Sequence, residues 1–179
     1  MKNVFLPLIM IAASFVIPFC CRAQMPVDSS SHLIVYTNLV KAENSTKADL
    51  YQTGWKWFGQ MVKGGAMSVL MYDASVGEII GSQGISCHYQ KDNSIDSIST
   101  TTLYFSLALE FKDGKYRYTI SDVHIFDVES NIAIYLDGKR DRWFTDHEWF
   151  SLKVYADANI RVFISDMETA MSYGPDNKW

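Results

Sequence analysis

The stretch Thr101–Ile120, TTLYFSLALEFKDGKYRYTI, decides the fold. Leu103, Phe105, Leu107, Leu109 and Phe111 alternate with Tyr104, Ser106, Ala108 and Glu110, the period of two expected of a strand with one buried face. Asp113-Gly114 then interrupts the run with two residues that tolerate positive φ, the chemistry of a tight hairpin turn. Tyr116, Tyr118 and Ile120 rebuild the apolar face on the returning strand, and Val123 to Phe126 extends it. A hairpin alone is marginal in water, so its apolar face needs a cover.

That cover is legible on both sides. Upstream, the apolar residues of Lys47 to Val62 fall at helical spacing, giving a wide buried face of Leu50, Tyr51, Trp55, Trp57 and Phe58. Thr46 and Asp49 have capping-box spacing, and Gly64-Gly65 stops the helix. Downstream, Ile160, Phe163, Ile164, Met167 and Met171 share one helical face, with Asp157 as N-cap and Gly174-Pro175 as stop, so a second helix is expected over 157–173.

Further strands are expected at Leu33 to Val40, Ser68 to Tyr72 and Glu78 to Tyr89, with a turn at Asp73 to Gly77. Gly81 and Gly84 suggest a bulge or the close approach of a neighbouring element. They make no phosphate loop, because no helix opening with Lys-Ser/Thr follows. Residues 24–31 read as a flexible polar arm and Lys91 to Thr100 as a solvated serine-rich loop. Asp127 to Ala156 is a variable segment in which Asp137-Gly138 could turn a second hairpin from Ile132 to Phe144. The expected class is α+β: one domain over 32–174, an antiparallel sheet of four to five strands on two helices, in the order β-α-β(4)-α. A cystatin-like or NTF2-like arrangement is the alternative.

Lys2 and the apolar run Val4 to Phe19, broken by Pro7 and Pro18, form too short a segment for a comfortable membrane span. Cys21-Arg22-Ala23 places small residues where a signal peptidase reads, so residues 1–23 are expected to be a signal peptide, with Gln24 the new N-terminus. The rival is lipidation at Cys20 or Cys21, opposed by the bulk of Phe19. No second apolar run of transmembrane length follows, and the expected location is periplasmic or cell-surface. Cleavage removes Lys2 and Arg22 and no acid, so the net charge of −4 falls by two further units. It also leaves Cys87 alone, without a disulfide partner or a CxxC motif, and it reads as a small buried residue.

Three motifs in order resemble one family. They are KADLYQTGWKWF with Lys47, Leu50, Tyr51, Trp57 and Phe58; DASVGEIIGSQG with Asp73, Gly77, Ile79 and Gly81; and the hairpin with Asp113, Gly114, Tyr116, Arg117 and Tyr118. The chain resembles the secreted bacterial family known as domain of unknown function 4468, over roughly Asp28 to Phe126 and best over 32–126. The resemblance implies a fold like that of the TATA-binding protein, and export. It implies no chemistry, because the family has no established activity. Departures from the family pattern are expected in the serine-rich loop and near Trp143.

Such a fold invites a nucleic-acid reading, but the negative charge and the expected export oppose binding a polyanion. The remaining candidate is RDRWFTDHEWF, Arg140 to Phe150. His147-Glu148 opens like a zinc-protease helix, yet Ser151 stands where the second histidine belongs. The histidines at 32, 88, 124 and 147 share no ligand spacing, and His124 beside Asp122 has no serine singled out for a triad. No metal or cofactor is therefore expected. Two functions stay open. One is a non-catalytic envelope module that binds a protein, peptide or glycan through Trp143, Asp146, His147 and Trp149. The other is a hydrolase using acidic residues and His147.

Overall fold

Leu103, Phe105, Leu107, Leu109 and Phe111 are all essentially inaccessible to solvent, while Tyr104, Ser106, Ala108 and Glu110 between them are half-buried. They belong to a computed structural model that describes residues 25–65, 67–91, 97–127 and 131–173. The signal-peptide reading, the Gly174-Pro175 stop and residues 92–96 of the serine-rich loop lie outside the described residues.

The element order is β1 (Tyr36–Lys41), α1 (Lys47–Lys63), β2 (Met67–Asp73), β3 (Glu78–Gln90), β4 (Ile98–Lys112), β5 (Lys115–Asp127), β6 (Ile132–Tyr135) and α2 (Asp146–Ser172). The strands form one antiparallel sheet in the order β1-β5-β4-β3-β2, with β6 also pairing β5. The described residues form the expected α+β fold of an antiparallel sheet with two helices, with six strands rather than four to five because β6 adds to the edge of β5. One face of the sheet carries the core beneath both helices. Each large core side chain removed from water contributes about 1.5–3 kcal/mol.

Glycines set how closely α1 approaches the sheet. A Cβ on Gly54 would lie 2.6 Å from the Phe111 ring, and one on Gly81 would lie 2.5 Å from the Phe58 ring. Gly81 therefore answers the close approach foreseen for it, and β2 also bulges beside it between Val69 and Met71. Trp55, placed on the buried face from spacing, is instead partly exposed against Tyr72, with ring centroids 4.7 Å apart.

The three motifs that carry the family resemblance meet at one end of the molecule. The Asp113 carboxylate accepts from the Lys47 N–H at 2.7 Å, at the start of α1, where the helix dipole favours an anion. The Gly114 N–H donates to Ser45 O at 2.9 Å, and the Lys47 ammonium donates to Ser75 O at 2.6 Å. Gly77, at φ +82°, accepts from the Phe111 N–H at 2.8 Å, and a Cβ there would sit 2.5 Å from Lys47 Cε. Of the hairpin pair, only Gly114 takes a positive φ, +72°. Asp113 does not need one, and its side chain ties the turn to α1.

A bulge in β5 corrects the phase of the sheet. Tyr104 pairs with His124 but Ser106 pairs with Ser121, so β5 holds one extra residue here, and Asp122 lies at φ +56°. Ile120 faces the core before the bulge and Val123 and Ile125 after it. An even spacing would have turned one set outward. The outer edge of β5 is shared accordingly: β1 takes Lys115 to Ile120, and β6 takes His124 to Asp127.

The C-terminal third corrects several expectations. No second hairpin runs from Ile132 to Phe144; β6 folds back on β5, and Gly138 closes a turn onto Tyr135 O. The variable segment also contains the start of α2, which begins at Asp146. Thr145 and Glu148 form the capping box there, so Asp157 is not an N-cap. Trp149, Leu152, Ala156, Ile160, Phe163, Met167 and Met171 run down its buried face, interrupted by Ser151 and Asp157. Those two polar residues mask the period, and both have partners: Ser151 Oγ accepts from the Gln90 N–H at 2.8 Å. Asp157 accepts from the Tyr36 hydroxyl at 2.8 Å and from Arg161 at 2.9 Å. Burial, then the bond to Asp157, holds the Tyr36 phenol above its ordinary pKa.

Residues 25–31 are likewise no detached arm. Met25 is in the core, Val27 bridges Ile34, and Asp28 Oδ1 accepts from the backbone and hydroxyls of Ser30 and Ser31. The serine-rich loop is shorter than expected, since β3 runs to Gln90 and β4 starts at Ile98. Cys87 is fully buried, and burial pushes its thiol up to about 11.

Two substitutions in α1 should act with opposite signs in chemical denaturation. Gly54→Ala drives a methyl into the Phe111 ring and should destabilise by about 1–3 kcal/mol. Gly59→Ala meets nothing within 4 Å and should stabilise by roughly 0.4–1 kcal/mol. In the same assay Tyr36→Phe, which deprives the buried Asp157 of a donor, should cost about 1–3 kcal/mol; an unchanged midpoint would remove that bond from the account.

Candidate functional site

The segment Arg140 to Phe150 is a helix start with a split personality. Trp143 is 63% exposed, with the Arg142 guanidinium 4.9 Å from its ring centroid. Asp146 is exposed and pairs with Arg140 Nε at 2.7 Å, and Arg140 also donates to Phe144 O. His147 is exposed on the first turn. Trp149, by contrast, is 5% exposed: its ring meets Phe144 at 5.5 Å, and Phe144 meets Tyr89 of β3 at 5.7 Å. Of the four residues singled out here, three are accessible and Trp149 pins α2 to the sheet. Glu148 is buried because its carboxylate accepts from the Thr145 N–H at 2.7 Å to close the capping box. Among the described residues, no three His, Cys, Asp or Glu side chains gather in a metal-sized group.

The open face of the sheet presents a second surface, one that sequence reasoning missed. Gly84, Tyr104, His124 and Tyr135 are successive cross-strand partners on β3, β4, β5 and β6. Tyr104 lies over Gly84, where a Cβ would come within 3.0 Å of the ring. The His124 ring follows at 5.6 Å from Tyr104, tilted by 21°, and Tyr135 at 5.2 Å from His124. His124 Nδ1 is 2.6 Å from Asp122 O, so the bulge residue also fixes the imidazole. Tyr135 is 48% exposed, and Tyr104 and His124 are half-buried.

Hydroxyl groups border this aromatic row on both sides. Ser82, Ser106 and Ser121 are partners in the row before it, and Ser86 and Thr102 in the row after it. None of these positions carries Lys, Arg, Asp or Glu. Charged residues do stand elsewhere on β3, β4 and β5: Asp122 in the bulge and, toward the hairpin end, the Glu110–Arg117 pair at 2.6 Å with Glu78 opposite Glu110. One signal did point here: the alternation of β4 sends Tyr104 away from the core. The alignment with His124 depends on the bulge, which no spacing rule placed.

Two solved structures similar to this chain share its fold. A TBP-like protein from Parabacteroides distasonis superposes with a TM-score of 0.61 at 15% identity, covering 82% of this chain and 96% of its own. A DUF4468 family protein from Bacteroides ovatus gives 0.62 at 14% identity, covering 85% and 94%. No curated protein matches the chain. The model of the domain of unknown function DUF4468, with TBP-like fold, matches residues 36–126, from the first residue of β1 to the end of the long hairpin, and the chain belongs to that family.

Proposed function

We propose that this DUF4468 protein is an exported, non-catalytic binding module of the bacterial cell envelope, and that it holds its partner on the open face of the sheet. The observation that carries this reading is the row Tyr104–His124–Tyr135, three rings in contact on the open face, the last of them exposed and the first two half-buried, with hydroxyls on both sides. Exposed aromatic side chains on rigid strands supply contact area at little conformational cost, which is why they dominate binding hot spots. Trp143 offers a second accessible ring, but it stands apart on the turn before α2 and rests on Arg142. Export is supported by the apolar leader and the Cys21-Arg22-Ala23 cleavage pattern.

Produced in full in a Bacteroides host, the chain should be recovered outside the cytoplasm with Gln24 first, or with a lipid on Cys20 or Cys21. Retention in the cytoplasm with Met1 in place would contradict export. The recovered protein should sediment with washed envelope from the same host, and Tyr135→Ala should release it. Release by Trp143→Ala alone would move the site to the start of α2.

A further inference from the structure

We infer that the ligand of the open face is a neutral oligosaccharide, laid along the row Tyr104–His124–Tyr135; the inference rests on the binding-module reading above. A sugar ring has one face of C–H groups and an edge of hydroxyls, so it needs an aromatic surface beneath it and hydrogen-bonding groups beside it. This sheet provides the two side by side. The Tyr104 and His124 rings are stacked with centroids 5.6 Å apart and Tyr135 follows His124 at 5.2 Å, so the row offers a continuous aromatic surface rather than one isolated ring. The electron-rich ring faces attract the polarised C–H groups.

The flanking rows complete the match. Ser106 on one side and Thr102 on the other can each donate or accept, as sugar hydroxyls also can, and Ser121, whose hydroxyl donates to Asp122 at 3.5 Å, can accept. Gly84 matters here because it lets Tyr104 lie low over β3 instead of standing off the sheet. The platform is held by the backbone of four strands, so little ordering entropy is lost when a ligand lands on it.

Charge selects against the main competitor. Aromatic residues on a sheet also stack nucleobases, but single-strand binders pair that stacking with a cationic groove that follows the phosphates. No Lys or Arg stands in the aromatic row or in either hydroxyl row. These rows therefore offer no cation to a phosphate chain, and the Asp122 carboxylate, which accepts from Ser121 Oγ at 3.5 Å, opposes a polyanion further.

The test uses the exported full chain and three probes: neutral hexasaccharides of glucose, mannose and N-acetylglucosamine; a single-stranded oligonucleotide; and a proline-rich peptide. The readouts are the NMR signal of the His124 ring and titration calorimetry. At least one hexasaccharide should shift the His124 signal. Tyr104→Ala and, separately, the exposed Tyr135→Ala should each weaken that binding about tenfold (roughly 1.4 kcal/mol) with the core methyl signals unchanged. Trp143→Ala should leave it intact. Shifts of His124 by the peptide or the oligonucleotide alone would overturn the saccharide assignment while keeping the open face as a binding site. Saccharide binding that leaves His124 unmoved, or no response to any probe, would overturn the inference, and in the second case the open-face reading also falls unless envelope sedimentation still depends on Tyr135.

Discussion

The Asp113 carboxylate bound to the first amide of α1 is the contact around which the rest of the molecule is arranged. A hairpin turn is normally a free end. Here it is fastened to a helix N-terminus, to the connection after β1 through Gly114 and Ser45, and, through the Lys47 side chain, to the turn between β2 and β3. Three loops distant in sequence therefore share one set of hydrogen bonds. Once they are joined, α1 has a single direction in which to lie across the sheet, and Gly54 and Gly81 let it lie close. Most of the residues by which the chain resembles its family lie at this joint or in the core and α1, whereas Arg117 lies on the open face against Glu110. Much of the family pattern thus records how the fold is fastened.

The joint lies at one end of the sheet, and both helices lie over one of its faces. The helices and the core occupy one side, so on the other the side chains are positioned first by strand register. The bulge at Asp122 is the second constraint on that surface. It keeps Val123 and Ile125 in the core, brings His124 opposite Tyr104, and ends the edge available to β1 so that β6 can deliver Tyr135. A structural correction to the phase of β5 thereby assembles the aromatic row.

The hairpin and α1 were legible because their signals are local: strict alternation in 103–111, a capping box at Thr46, and turn glycines at 77 and 114. α2 was only half legible. Its first three turns bury Ser151 and Asp157, whose partners Gln90 and Tyr36 lie far off in the chain, so its apolar period looks broken until residue 160. The TDHE capping signature at Thr145 to Glu148 was present, but it lay inside a stretch whose acids and histidine invited a catalytic interpretation. The acids there have structural duties, Glu148 in the cap and Asp146 opposite Arg140. Of the aromatic row only the outward direction of Tyr104 was legible, since the row joins four strands through a register that one extra residue in β5 decides.

The central claim, that the three loops act as one joint, is tested most directly by a double-mutant cycle of Asp113→Ala and Lys47→Met in chemical denaturation. The first removes the bond to the α1 amide, and the second removes the ammonium on Ser75 O. A shared joint predicts a coupling of about 0.5–3 kcal/mol between the two changes. Effects that add to within roughly 0.3–0.5 kcal/mol would mean that the turns are fastened independently, and would contradict the account.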